Sequence, residues 1–140
     1  MLASHRTPWQ VWVLRLAVLV QALSGLYGGG ALLADPTGAE LRMPLTLLDG
    51  TPFADFRIPG AILFIMLGLY PVLVLVGLHR RRAWSWWAAA VLGAALIVWI
   101  GVQVWLIGYT SLLQPFYGGL GILIVTLVAA PATRRYLGRM

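Results

Sequence analysis

Residues 60–82 read GAILFIMLGLYPVLVLVGLHRRR, and this segment gives the clearest indication of the fold class. A run without a charged residue precedes His79, and three consecutive arginines follow it. A helix rises about 1.5 Å per residue, so about 20 apolar residues cross a hydrocarbon core of about 30 Å. The stretch therefore predicts a membrane-crossing helix that ends at a charged boundary.

Similar apolar runs occur on both sides of this one. Together the four runs lie at about 9–33, 60–78, 83–108 and 116–133. They lack the alternation of apolar and polar residues expected of barrel strands, and a helix satisfies its own backbone inside lipid. The sequence predicts an all-α integral membrane protein, a bundle of four transmembrane helices forming a single domain over residues 1–140, with an ordered outer loop at 34–59.

The charged residues predict how this bundle is oriented. All ten basic residues are arginines, and with four crossings eight of them fall on one side, near the two termini and at 80–82. Every acidic residue lies in the 34–59 loop. Arginine-rich segments stay in the cytoplasm, so both termini are predicted to be cytoplasmic and the loop to lie beyond the bilayer.

Composition excludes several classes of protein. The chain is 61% hydrophobic and only 10% charged, whereas a soluble domain carries about 25% charged residues. Disorder requires low hydrophobicity, and zero cysteines exclude thiol chemistry and cysteine-ligated metals. The net charge of +6 is explained by the arginines that set the orientation in the membrane. We therefore expect no nucleic-acid partner.

The sequence offers little catalytic chemistry. No histidine and carboxylate pair has metal-ligand spacing within one helix, and no nucleophile motif, phosphate loop or cofactor fingerprint is present. We therefore expect no metal site, no cofactor and no catalytic residue, and a non-catalytic function is favoured over an enzyme.

Small residues predict close helix packing. Gly25 and Gly29 form a G-x-x-x-G pair with Gln21 one turn earlier, and Gly93 and Gly101 recur in the third run. Such faces let two helix backbones approach closely. They either pack within the bundle or contact a membrane-protein partner or a second copy of the chain.

Proline and turn residues predict further local structure. Pro71 removes one backbone donor and should kink the second helix near residues 67–68. In the loop, apolar residues alternate with polar ones from Leu41 to Leu47, which is typical of an extended segment. Thr51 could cap a short helix with Pro52 at its first position, and Pro59 should start the second membrane helix.

Polar residues near the loop predict a binding site. In the membrane such residues are rare and usually functional, although interhelical hydrogen bonding is the simpler interpretation. Loop carboxylates could add polar groups around a ligand or perform acid–base chemistry. The candidate ligand-binding residues are Tyr27, Asp35, Asp55, Arg57, Gln103, Gln114 and Tyr117.

Several motifs resemble a group of small bacterial inner-membrane proteins with four helices. The matching segments are YGGG at 27–30, DPTGA at 35–39, MPL at 43–45, GTPFADFRIPG at 50–60, WIGVQ at 99–103 and LQPFY at 113–117. A looser similarity to DoxX-like proteins concerns the four-helix architecture. The resemblance implies a multi-pass protein of the bacterial inner (plasma) membrane, and it implies no particular chemistry.

Three functional hypotheses from different classes follow. The first is an accessory or scaffold subunit that packs against another membrane protein. The second is a binding protein for a lipid or small apolar molecule, with an outer-leaflet pocket under the 34–59 loop. An enzyme using loop carboxylates is the third, and an oligomeric transporter or channel remains a further alternative. Membrane lipids are expected partners in every case.

Overall fold

The computed structural model describes residues 7–39, 44–108 and 112–138. Within these residues the chain is all-helical and contains no strand, which confirms the predicted all-α class. The helices are α1 (Trp9–Ala34), α2 (Arg57–His79), α3 (Trp84–Ile107), α4 (Leu113–Ala129) and α5 (Pro131–Tyr136).

Three of these helices, α1, α2 and α3, are long and apolar enough to cross a membrane. The fourth, α4, is a shorter apolar helix. Large apolar side chains cover much of the outer surface, with Trp105 82% exposed and Val98 63% exposed. Such a surface is expected where the surroundings are lipid rather than water.

The helix bounds differ modestly from the predicted runs. Helix α2 begins at Arg57 rather than at Pro59, and proline is tolerated in the first turn because no intrahelical acceptor awaits its nitrogen. Helix α4 begins at Leu113 and ends at Ala129. Ala130 is extended (ψ 135°) because it precedes Pro131, so the predicted run at 116–133 is broken into α4 and α5.

The first four helices pack as a ring. Helix α1 lies along α2 and also contacts α4, while α3 lies along α4 and also contacts α2. Hydrogen bonds join α3 to both neighbours: the Tyr70 hydroxyl donates to the Ala88 carbonyl at 2.6 Å, and Trp86 Nε1 donates to the Val128 carbonyl at 2.8 Å.

The ring has two unlike ends. The end carrying Arg80–Arg82 is here called the arginine end, and the end carrying residues 34–39 and 44–56 is called the loop end. The continuous apolar core lies toward the arginine end, where Leu14, Leu78 and Leu92 are fully buried. A separate small cluster of Leu32, Leu48 and Phe56 lies at the loop end. Leu63 packs against both clusters, and a cavity is lined by residues of each.

Helix α2 departs from α-helical geometry where Pro71 predicts a kink. Residues Ile65–Leu69 form a π-helical turn. In a regular α-helix the carbonyl of Leu67 would accept the N–H of residue 71, and proline has none. Such turns often accompany a break in the helical hydrogen-bond ladder.

The loop is less regular in structure than predicted. Leu45–Leu48 forms a 3-10 helix rather than an extended strand, and residues 40–43 of the predicted extended segment lie outside the described residues. No short helix follows Thr51, whose Oγ1 donates to the Leu48 carbonyl at 2.7 Å and accepts from the Phe53 N–H at 3.3 Å. Thr51 therefore closes a turn instead of capping a helix.

Candidate ligand-binding cavity at the loop end

A cavity of about 850 Å³ occupies the bundle at the loop end. Pockets for small molecules typically measure about 300–1,000 Å³ and are mainly apolar. Side chains from α1 to α4 form its walls, and Pro44, Leu48, Thr51, Phe53 and Phe56 contribute from the loop. No charged side chain lines the cavity within the part of the chain that the structure describes.

Short side chains on α1 leave room for this cavity. Ser24, Gly25 and Gly28 line it from α1, and Gly25 and Gly29 also press against α2. A Cβ on Gly25 would overlap the Leu67 carbonyl, and one on Gly29 would overlap the Phe64 backbone. Gly25 and Gly29 thus let α2 lie close to α1. Ser24 and Gly28 are too small to fill the cavity beside this contact.

Loop residues 44–56, here called the roof segment, cover the cavity. Phe56 is 3% exposed and packs with Leu48 and Leu32, and Phe53 and Leu63 pack against this cluster. The Phe56 N–H also donates to the Pro36 carbonyl at 2.9 Å. Apolar burial and a backbone hydrogen bond therefore hold the roof segment on the helix ends.

Two glutamines meet at the rim of the cavity. Gln114 Nε2 donates to Gln103 Oε1 at 3.1 Å and to the Gly108 carbonyl at 3.1 Å. Gln114 is 3% exposed although it carries a polar amide. The pair joins the end of α3 to the start of α4, as the interhelical interpretation predicts, and both residues also line the cavity.

Gln21 supplies the deepest polar group. Its Nε2 donates at 2.9 Å to the Leu67 carbonyl, which Pro71 deprives of its α-helical donor. Its Oε1 is buried and has no hydrogen-bond partner among the described residues. Gln21 is 2% exposed and lines the cavity, so an acceptor lies in the apolar wall with no donor from the protein.

The structure brings four of the seven candidate ligand-binding residues together. Tyr27, Gln103, Gln114 and Tyr117 all line the cavity. Tyr27 is 70% exposed, which places it at the mouth. Other exposed residues of the lining, such as Val102, show that the cavity opens to the surroundings of the bundle.

The other three candidates, Asp35, Asp55 and Arg57, do not line the cavity. Asp35 Oδ1 accepts from the Thr37 N–H at 3.2 Å and from the Thr37 hydroxyl at 2.6 Å. Asp55 Oδ1 accepts from the Arg57 N–H at 3.0 Å. These carboxylates close local turns, so the structure does not bring them into one cleft for acid–base chemistry.

The residues predicted to pack between helices take different positions. Gly25, Gly29 and Gly93 lie in tight contacts within the bundle, Gly93 against Gly121 of α4. A Cβ on Gly101 would meet no atom within 4 Å. Gln21 packs against α2 and also lines the cavity, a second role that its sequence position did not suggest.

Several lining residues were not among the sequence-based candidates. They include Ser24, Gly28 and Trp99. Ser24 and Gly28 form a pair of small residues four apart in the sequence. That spacing predicts a helix-packing face and does not indicate the wall of a cavity. A stripe of small residues has the same appearance in both cases.

The arginine end lacks a described carboxylate, and its cations interact with neutral acceptors. Arg15 donates to the Leu78 carbonyl at 3.1 Å and to the Tyr136 hydroxyl at 3.0 Å, and Arg81 Nε donates to the Tyr136 carbonyl at 2.7 Å. Burial raises the pKa of Tyr136, but the hydrogen bond with Thr7 and the charges of Arg15 and Arg81 outweigh it, so the pKa is lowered. Hydrogen bonds between the helices therefore hold this end of the bundle together.

The described residues contain no group of three histidine, cysteine or acidic side chains that could hold a metal ion. No family model, curated protein or solved structure matches the chain. The resemblance to small inner-membrane proteins and to DoxX-like proteins therefore stays a prediction.

Proposed function

We propose that this chain is a membrane-embedded binding protein for an apolar molecule, which it holds beneath the roof segment at the loop end. The observation that carries the proposal is the mainly apolar cavity of about 850 Å³ that reaches from the roof segment to Gln21 and Gln103. Burial of apolar surface supplies the affinity, at about 25 cal/mol per Å². The amides of the wall orient the ligand.

The proposal includes an orientation in the membrane. Helix α4 has 17 residues and spans about 26 Å, slightly less than a hydrocarbon core of about 30 Å. We propose that it makes the fourth crossing and that α5 continues it along the interface. Both termini would then lie with Arg80–Arg82 in the cytoplasm of a bacterial cell, and the cavity would open at the outer leaflet of the inner membrane.

The packing of Gly25 and Gly29 weakens the support for a scaffold. An accessory subunit needs a small-residue face that is free to meet a partner helix. Both glycines are covered by α2 of the same chain. The scaffold, a homo-oligomer and an oligomeric transporter or channel stay predictions.

A matched pair of variants on α1 tests the binding proposal. Ser24 lines the cavity, whereas its neighbour Leu23 is 60% exposed on the outside of the bundle. Ser24→Phe should fill the cavity and Leu23→Phe should not. The protein is placed in lipid nanodiscs and titrated with the methyl ether of hexadecanol carrying a photoreactive diazirine, and labelled peptides are identified by mass spectrometry.

Binding in the cavity gives saturable labelling of peptides that contain Trp99 and Gln103, whereas labelling from bulk lipid only rises with probe concentration. We expect saturable labelling in the wild type and in Leu23→Phe, and a roughly tenfold weaker half-saturation or none in Ser24→Phe. Absence of saturable labelling in the wild type would overturn the proposal. A protein that copurifies in fixed ratio would then favour the scaffold.

A further inference from the structure

The orientation of the Gln21 amide follows from its partner. Pro71 leaves the Leu67 carbonyl without its usual helical donor, and Gln21 Nε2 donates to that carbonyl at 2.9 Å. A carbonyl accepts and cannot donate, so the amide nitrogen must face Leu67. The amide oxygen is therefore turned away from the Leu67 carbonyl.

Gln21 lies in the wall of the cavity, and its amide oxygen is not satisfied by the described residues. Gln21 is 2% exposed, it lines the cavity, and its Oε1 has no partner among the described residues. A buried acceptor that gives up water without gaining a donor destabilises the folded protein. A molecule in the cavity that supplies a donor would remove that cost.

The charge of the lining restricts what this molecule can be. None of the described side chains that line the cavity is charged, and burial of an unpaired ion is strongly unfavourable. A phosphate, carboxylate or ammonium group would find no counter-ion beside Gln21. The group that meets Gln21 Oε1 is therefore neutral.

We infer that the ligand is a neutral apolar molecule with a hydroxyl or N–H group, which donates a hydrogen bond to Gln21 Oε1 at the deep end of the cavity. This inference rests on the proposed function and adds the chemical class of the ligand. Apolar long-chain alcohols and phenols meet the requirement, whereas a hydrocarbon or an ether lacks the donor.

Two probes that differ only in the donor test the inference. Photoreactive hexadecanol and its methyl ether are titrated separately into nanodiscs that hold the wild type, Gln21→Leu or Gln21→Glu. The quantity compared is the ratio of the two half-saturation concentrations, because partition into lipid affects this ratio equally in all three proteins. Gln21→Glu is a matched control, since a carboxyl in an apolar wall is protonated and can both donate to Leu67 and accept from the alcohol.

We expect the wild type to bind the alcohol roughly tenfold more tightly than the ether, the factor that one hydrogen bond typically supplies. Gln21→Glu should keep this preference, and in Gln21→Leu the preference should disappear while the ether still binds. If Gln21→Leu binds neither probe, the inference is judged from the other two proteins. Both the wild type and Gln21→Glu must then prefer the alcohol to the ether.

Equal binding of alcohol and ether by the wild type would overturn the inference and leave the proposed function intact, since Gln21 Oε1 would then be served by water. A preference that persists in Gln21→Leu while the ether still binds would also overturn it, because another group would receive the donor. Absence of saturable binding of both probes to the wild type would overturn the proposed function itself.

Discussion

Gly25 is the residue on which the contact between α1 and α2 depends most directly. Its missing side chain lets α1 reach the Leu67 carbonyl, and a Cβ there would overlap that carbonyl and crowd the nitrogen of Gly68. The neighbouring Gln21 can donate to the same carbonyl only because the backbones are this close. One glycine therefore supports both the packing of the bundle and the orientation of the polar group in the cavity.

Gly25→Ala should strongly destabilise the protein. The added methyl group meets backbone, which cannot move aside as a flexible side chain can, and overpacking of this kind typically costs about 1–3 kcal/mol or more. The apparent melting temperature in detergent measures the effect. Gly119→Ala is the control, because a Cβ there would meet nothing within 4 Å, and alanine favours a helix by about 1 kcal/mol over glycine. Equal melting of Gly25→Ala and the wild type would contradict this explanation.

Among the larger elements, the roof segment combines local turns with long-range packing against the helices. Asp55 and Thr51 make their hydrogen bonds to residues close in sequence, so they shape the segment without attaching it. Phe56 packs against Leu32 of α1 and its N–H reaches the Pro36 carbonyl. Phe56 therefore attaches the roof segment both by apolar burial and by a backbone hydrogen bond.

Phe56→Ala should loosen the roof segment and leave the rest of the bundle folded. Truncation of a buried phenylalanine typically costs about 3–5 kcal/mol, and here the loss falls on a cluster that is separate from the main core. We expect faster cleavage within residues 44–56 by an added protease, and weaker saturable labelling of the cavity. Ile58→Ala is the matched control because Ile58 is 57% exposed. Equal cleavage rates in the two variants would assign the anchor to another residue.

For the molecule as a whole, the two ends differ in packing and in charge. The arginine end contains the continuous core and the hydrogen bonds of Arg15 and Arg81. The loop end contains the cavity, and all four acidic residues of the sequence lie in the 34–59 loop. The molecule thus joins a well-packed, basic end to an end that contains a cavity.

Single cysteines can test the proposed orientation cleanly because the chain has none of its own. Ala39 lies in the loop and Ala83 lies beside Arg80–Arg82, and both are exposed. In intact bacterial cells, a membrane-impermeant maleimide should label Ala39→Cys, whereas Ala83→Cys should react only after the cells are opened. Labelling of both positions from the same side would mean an even number of crossings between them, and it would rule out the proposed arrangement, in which α2 alone crosses between Ala39 and Ala83.

Much of the architecture could be predicted from the sequence, because hydrocarbon imposes simple rules on a chain. The apolar runs at about 9–33, 60–78 and 83–108 became the three long helices, since lipid requires every backbone group to be satisfied within the helix. Pro71 predicted the irregular turn of α2 because proline has no backbone N–H in any structural context. Four of the seven candidate ligand-binding residues proved to line one cavity, because residues level with one another at the same end of a bundle converge.

Tertiary structure alone decided which face of each helix turns inward. These helices are apolar on nearly every side, so the sequence carries no periodic signal for their rotation, in contrast to the amphipathic helices of soluble proteins. Only the packed bundle shows that Gly25 and Gly29 meet α2 of the same chain and that Ser24 and Gly28 face a cavity. It also shows that Gln21 Oε1 has no hydrogen-bond partner in the part of the chain that the structure describes. These facts depend on the distances between neighbouring helices, which no single segment encodes.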